Sequence, residues 1–179
     1  TAPLLLVFLA DLRRAALIAR GKGVVPEAVD YLDTFYTASL DVALAAQNAV
    51  AAAESLGLGT VYIGALRNNI SRVAEELLLP PLVSPVFGLV VGHIDAGIAT
   101  GVKPRLPQAI ALHRETYKAE QDDAALAAYD RVFHAFQDSQ GLPRSDWSQI
   151  QADRIATKAG LNGRERLRTA LEGFGFGLK

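Results

Sequence analysis

Leu40 to Leu56 is alanine-rich, contains neither glycine nor proline, and stops at Gly57-Leu58-Gly59. That composition predicts one uninterrupted helix ended by glycine. The segment is apolar on nearly every face, so it should lie buried rather than on a surface. Small side chains on all sides let other backbones approach closely. The natural reading is a central helix, either wrapped by one fold or shared with a second subunit. It is not a membrane span: the apolar stretch from Val42 to Ala53 is too short and carries Gln47 and Asn48.

Around this helix the chain alternates between short apolar runs and helical patterns. Leu4 to Leu9 reads as a buried strand, Thr60 to Leu66 as a second, and Ser84 to Gly92 contains a third. Asp11 to Ala19 forms a short amphipathic helix ended by Gly21 and Gly23. Val24 to Phe35 mixes Pro26 with aromatics and is partly helical. Asn68 or Asn69 offers an N-cap for a helix running to about Leu79, where Pro80-Pro81 stops it. Further helices are expected over Ala109 to Tyr117, Ala124 to Gln137, Ser148 to Lys158 and Glu165 to Glu172. The glycine-rich tail from Gly173 is irregular. Three strands separated by helices predict an α+β or α/β domain, and no repeat or linker divides residues 1–179.

Composition narrows the chemistry. With 179 residues, half of them hydrophobic, the chain can bury a real core. A formal net charge of −1 provides no global field for nucleic acid or an anionic membrane, so an anionic ligand must be held locally. There is no cysteine, which rules out disulfides, thiolate metal sites and cysteine nucleophiles and fits a cytoplasmic location. His93, His113 and His134 lack metal-ligand spacing, and no G-x-S-x-G elbow is present. Glu75-Glu76 and Asp122-Asp123 read as solvated charges at helix ends. Asn69-Ile70-Ser71 matches the glycosylation pattern by chance, since no secretory signal is visible.

Two short elements remain as candidates. Lys103-Pro104-Arg105 combines two cations that could bind a phosphate monoester, with a proline that stiffens the loop between them. On these residues alone, a solvated basic loop is the favoured reading. Gly57 to Ala65 is a glycine-punctuated turn into a strand whose far end, Gly64-Ala65, stays small enough for backbone amides to approach a flat ring. A helix cap followed by a tightly packed strand explains it equally, and its spacing matches neither a dinucleotide nor a P-loop fingerprint.

Taken in order, the segments AAQNAVAAAESLGLGTVYIGALRNNI, PVFGLVVGH, KPRLPQAIALHRETY and YDRVF followed by SDWS resemble the oxygen-insensitive NADPH nitroreductase and FMN-dependent flavin reductase family. The resemblance implies a single α+β nitroreductase-like domain with a central, mostly antiparallel sheet and flanking helices. It also implies an intertwined homodimer with one FMN per subunit. Tyr62, Ile63, Gly64 and Ala65 would contact the flavin ring, largely through backbone, and Lys103, Pro104 and Arg105 would hold its phosphate. The flavin carries the redox chemistry, so no catalytic side chain is required. NADPH or NADH would donate electrons, and a nitroaromatic, quinone or free flavin would accept them. A basic family position for the nicotinamide 2′-phosphate aligns near the neutral Gln140, with Arg144 in the same loop. Arg164 aligns near a family arginine close to the active site. Family members carry further flavin-binding residues before the first strand, so the chain is expected to be N-terminally truncated. A flavin-binding or regulatory protein without turnover and a structural helical dimerisation module are the alternatives.

Overall fold

In the computed structural model, which describes residues 2–98, 100–120 and 122–179, the strands β1 (Leu4–Asp11), β2 (Leu58–Ile63) and β3 (Val83–His93) form one antiparallel sheet in the order β1-β3-β2. Leu6 pairs with Leu89 across one edge of β3, and Tyr62 pairs with the same Leu89 across the other. A bulge between Phe8 and Leu9 shifts the β1–β3 register. The strand expected over Thr60 to Leu66 ends at Ile63, because Ala65–Asn69 turns into a 3₁₀ helix.

Two compact units are present, residues 1–94 with 162–179, and residues 95–161. In the first, α1 (Arg13–Gly21) follows β1 and α2 (Leu32–Ser55) covers one face of the sheet. Ala49, Val50 and Ala53 of α2 pack with Leu6, Phe8, Leu58, Leu89 and Val91, so the alternating side chains of β3 meet the small side chains of the helix. A second cluster gathers Leu12, Leu171 and Phe176, with Phe35 edge-on to Phe176 at 5.0 Å. The glycine-rich tail after α7 (Leu167–Gly173) is irregular, yet it buries one of the largest aromatic anchors of the unit.

Helix α2 departs from expectation in two ways. It starts at Leu32 rather than Leu40, since no residue of Leu32–Ser39 breaks a helix once Pro26 and a short 3₁₀ turn lie behind it. It is also not buried all round. Only Ala46 and Val50 are buried, while Tyr36, Leu40 and Leu44, spaced four apart on one stripe, stay exposed and Leu44 keeps 68% of its surface. Among the described residues of one chain, the covered stripe is the one facing the sheet and the cluster of Leu171 and Phe176.

Of the two candidates Asn68 and Asn69, it is Asn69 that caps α3 (Ile70–Glu76), accepting a 3.1 Å bond from the Arg72 amide. The helix stops short of Leu79, because Leu78 adopts a left-handed conformation at φ 51° and the Leu79 amide returns to the Ala74 carbonyl.

The second unit contains α4 (Gln108–Ala111), α5 (Asp123–Ser139) and α6 (Trp147–Ala156). The helix expected over Ala109 to Tyr117 is thus realised for four residues only. Leu112 is extended and Glu115 is left-handed at φ 64°, so the periodic pattern breaks where no cap supports it. Tyr129 and Phe133 of α5 are buried, and Trp147 meets Tyr129 edge-on at 5.3 Å. Asp130 ties the helices together by accepting from the Ser148 hydroxyl at 2.6 Å and its amide at 3.0 Å.

Candidate functional site

Tyr62 and Ile63 end β2, and Gly64 begins the turn that carries Ala65 to Asn69. The sheet parity aims Tyr62 toward the α2 face, where its ring lies edge-on to Phe87 at 5.3 Å and its hydroxyl donates a long 3.5 Å bond to Gln47 Oε1. Ile63 turns to the opposite face, beside Gly88. Because β2 is an edge strand, half of its backbone N–H and C=O groups point away from β3 and need another partner.

Gly64 is not demanded by the fold. Its φ of −83° and ψ of −14° suit any residue. An added Cβ would meet only Arg67 Nη2, at 3.4 Å. Gly88 differs, since a Cβ there would press on Leu5 Cδ1 at 2.9 Å. Gly64 is half-buried, with the Arg67 guanidinium as its nearest neighbour, and the fold itself makes no demand for a glycine there.

Beside this turn lies a cluster of which the sequence reading named only Arg164. Arg67 Nη1 donates to the Val86 carbonyl at 2.7 Å, and Arg164 Nε donates to Asn68 Oδ1 at 2.9 Å across 96 residues. Burial, and second the neighbouring Arg164 cation, hold the Arg67 guanidinium below its ordinary range. Among the described residues neither arginine has a carboxylate partner. Gly163, left-handed at φ 94°, lets the backbone pass against the Asn68 carbonyl and brings Arg166 to a cleft of about 490 Å³ that Arg67 also lines. The Asn162-Gly163 dipeptide is the one sequence signal that marks this turn.

In the second unit Lys103, Pro104 and Arg105 lie in an extended loop and together line a cavity of about 360 Å³. Tyr129, Phe133 and Trp147 form its aromatic wall, and Arg154 adds a third cation. No carboxylate lines it, and among the described residues none of the three cations is in an ion pair. Lys103 Nζ stands 5.1 Å from the centre of the Phe133 ring, an attraction that leaves its donors free. Three unneutralised cations around a polar-mouthed hollow are the electrostatic complement of a phosphate. Arg154 was missed because its position on α6 carries no motif.

Arg144 does not line that cavity. Its guanidinium is engaged by Asp138, with Nε 2.7 Å from Oδ1. The hydrogen bond from Arg144 is the main cause holding the Asp138 carboxyl below the usual range, and the same bond raises Arg144. A second anion would have to compete with that carboxylate. Gln140, half-buried, donates to Ser139 Oγ at 3.2 Å.

Comparison with known proteins adds the family. Residues 2–93 match the Nitroreductase family and residues 103–179 match its C-terminal domain. An FMN reductase (NADPH) of Bacillus subtilis (strain 168) is 40% identical over 147 residues, covering 79% of this chain and 58% of that protein. A CR(VI) reductase of Pseudomonas sp. (strain G-1) is 37% identical, covering 82% of this chain and 60% of its own length. The chain therefore spans less than two thirds of these relatives. Among solved structures, NfrA2 of B. megaterium superposes with a TM-score of 0.90 at 36% identity, over 99% of this chain and 70% of that one. The NADPH:FMN oxidoreductase from Vibrio harveyi complexed with NAD+ gives 0.84 at 31% identity, over 99% of this chain and 69% of its own.

Proposed function

The chain belongs to the nitroreductase family, and on that premise we propose that it is part of an FMN-dependent NAD(P)H oxidoreductase acting by two-electron transfer. The observation that carries the reading is the carboxylate-free cavity lined by Lys103, Arg105 and Arg154. Residues 1–179 act as one nitroreductase-like domain, a reading supported by neighbours that match 99% of the chain. The reaction would take place in the cytoplasm, and no helix among the described residues is long and apolar enough to cross a membrane.

The residues present fit an FMN. Lys103 and Arg105 would hold the phosphate, arginine contributing paired donors and lysine a point charge. The stiff Pro104 keeps the pair from collapsing into solvent. The edge backbone of Tyr62 to Ala65 would face the ring, and the missing side chain at Gly64 would leave room for it. When bound, the flavin supplies a carrier that takes a hydride equivalent from a nicotinamide and passes electrons to an acceptor such as a nitroaromatic, a quinone or free flavin. The half-buried Arg164, whose Nε is anchored on Asn68, would present its remaining donors to substrate or nicotinamide. Neutral Gln140 and the Asp138-engaged Arg144 favour use of both NADH and NADPH.

The exposed stripe Tyr36, Leu40 and Leu44 on α2 supports a homodimer, since a second copy is the simplest cover for an apolar helix face in this family. The test of the function is direct. The purified protein with FMN should oxidise NADH and NADPH, and replacing Lys103 and Arg105 together by alanine should release flavin while the circular dichroism stays unchanged. Flavin bound without nicotinamide oxidation would favour a non-catalytic flavin protein. No flavin binding at all would end the reading.

A further inference from the structure

The loop that carries Lys103 and Arg105 has almost nothing of its own to hold it. Residues 101–106 belong to no helix or strand. Among the described residues, their backbone makes a single hydrogen bond: the Tyr129 hydroxyl donates to the Pro104 carbonyl at 2.7 Å, across 25 residues. Tyr129 is itself fixed. It is only 4% exposed, stacks in line with Phe133, and is met edge-on by Trp147. A rigid, buried donor thus grips the carbonyl midway between two exposed cations. Proline fixes φ at that residue, so pinning its carbonyl also sets the direction in which the chain leaves toward Arg105. From the other side, Phe133, one turn further along the same helix, holds the Lys103 ammonium over its ring.

We infer that Tyr129 is a positioning residue for phosphate binding: its hydroxyl holds the Lys103-Pro104-Arg105 loop so that both cations converge on one anion. This rests on the reading that the pair holds the flavin phosphate. Without the bond the cations remain, but they sample many directions, and ordering them falls to the ligand. The hydroxyl touches no reacting atom, so its effect is confined to ligands that carry the phosphate.

That confinement makes the inference separable from a general loss of structure. FMN and riboflavin differ only in the phosphate. Tyr129→Phe keeps the ring that packs against Phe133 and Trp147 and removes the one donor. Flavin fluorescence titrations of wild type and variant should show FMN affinity falling about three- to tenfold, the size expected for one lost hydrogen bond, with riboflavin affinity unchanged. Pro104→Gly keeps the carbonyl that Tyr129 grips but frees φ beside it, so the pinned carbonyl no longer directs the chain toward Arg105, and the same selective loss should follow. In the Lys103→Ala/Arg105→Ala background, Tyr129→Phe should cost nothing further, because it acts through the pair. Equal losses for FMN and riboflavin, or an undiminished FMN affinity in Tyr129→Phe, would overturn the inference. If the double alanine variant itself binds FMN like wild type, the phosphate reading fails first. If that variant loses FMN while Tyr129→Phe does not, only the positioning role falls.

Discussion

Replacing Gly64 by alanine should stabilise the flavin-free protein and weaken its hold on FMN. The residue sits at φ −83° and ψ −14°, where alanine is at ease. Its added Cβ would make a 3.4 Å contact with Arg67 Nη2 and nothing closer. Removing glycine's freedom from the unfolded chain at such a position is worth about 0.4–1 kcal/mol. For a chain of this length that corresponds to a rise in melting temperature of about 1–4 °C. The same methyl group would stand in the space assigned to the flavin ring. Forcing an extra carbon into a filled contact costs about 1–3 kcal/mol, or roughly a 5- to 150-fold loss of affinity. Differential scanning calorimetry of the apoprotein and a fluorescence titration with FMN measure the two halves separately. A destabilised apoprotein would show that the fold itself needs the glycine. Unchanged FMN affinity would show that no ring lies there.

Gly163→Ala should do the reverse and damage the fold. Its left-handed φ of 94° strains any side chain, and the new Cβ would overlap the Asn68 carbonyl, parting Asn68 from Arg164. The combined cost is about 2–4 kcal/mol, seen as a fall of roughly 5–15 °C in melting temperature; an unchanged melt would refute the packing described. Asp130 should contribute a pH-dependent share of stability. Burial opposes ionisation there, but hydrogen bonds from the Ser148 hydroxyl and amide and the Trp147 amide, with the His134 charge, outweigh it and lower the carboxyl's pKa. A lowered folded pKa gives stability that is present above the unfolded value of about 3.9 and is lost as pH falls through the folded one. Melting curves should therefore separate wild type from Asp130→Asn near neutrality and converge below about pH 4, and a gap that stays constant with pH would contradict the assignment. Leu44→Glu places a charge on the exposed α2 stripe and should shift sedimentation from dimer to monomer with little change in the monomer's own fold; an unaltered dimer would move the interface elsewhere.

How far the sequence could be read depended on the range of the interaction. The three strands followed from continuous apolar runs, and residue type narrowed the cap of α3 to Asn68 or Asn69. Where a helix ends without its usual signal, local reading misplaces the end: Leu78 takes the left-handed place that glycine normally occupies, so the letters put the stop of α3 at Pro80-Pro81, a few residues beyond Glu76. Proline and aromatic residues between Val24 and Phe35 concealed the early start of α2. Its uniform apolarity suggested all-round burial, since composition does not say whether the second cover is the same chain or another. In the candidate site, Lys103 and Arg105 stood out because their two charges flank a proline. Tyr129, Arg154 and Arg67 did not, since each gains meaning only from a partner that the fold brings to it: the Pro104 carbonyl, the cavity and the Val86 carbonyl. A buried tyrosine on an apolar helical stripe looks like core until the far end of its hydroxyl is known.

A crystal structure of the protein soaked or grown with FMN addresses the central claim most directly. The account predicts the phosphate within hydrogen-bonding distance of Lys103 and Arg105, and the ring system against the main chain of Tyr62 to Ala65 with its face over Gly64. Flavin found with its phosphate on other residues, or with its ring remote from Gly64 in every subunit of the assembly, would contradict it.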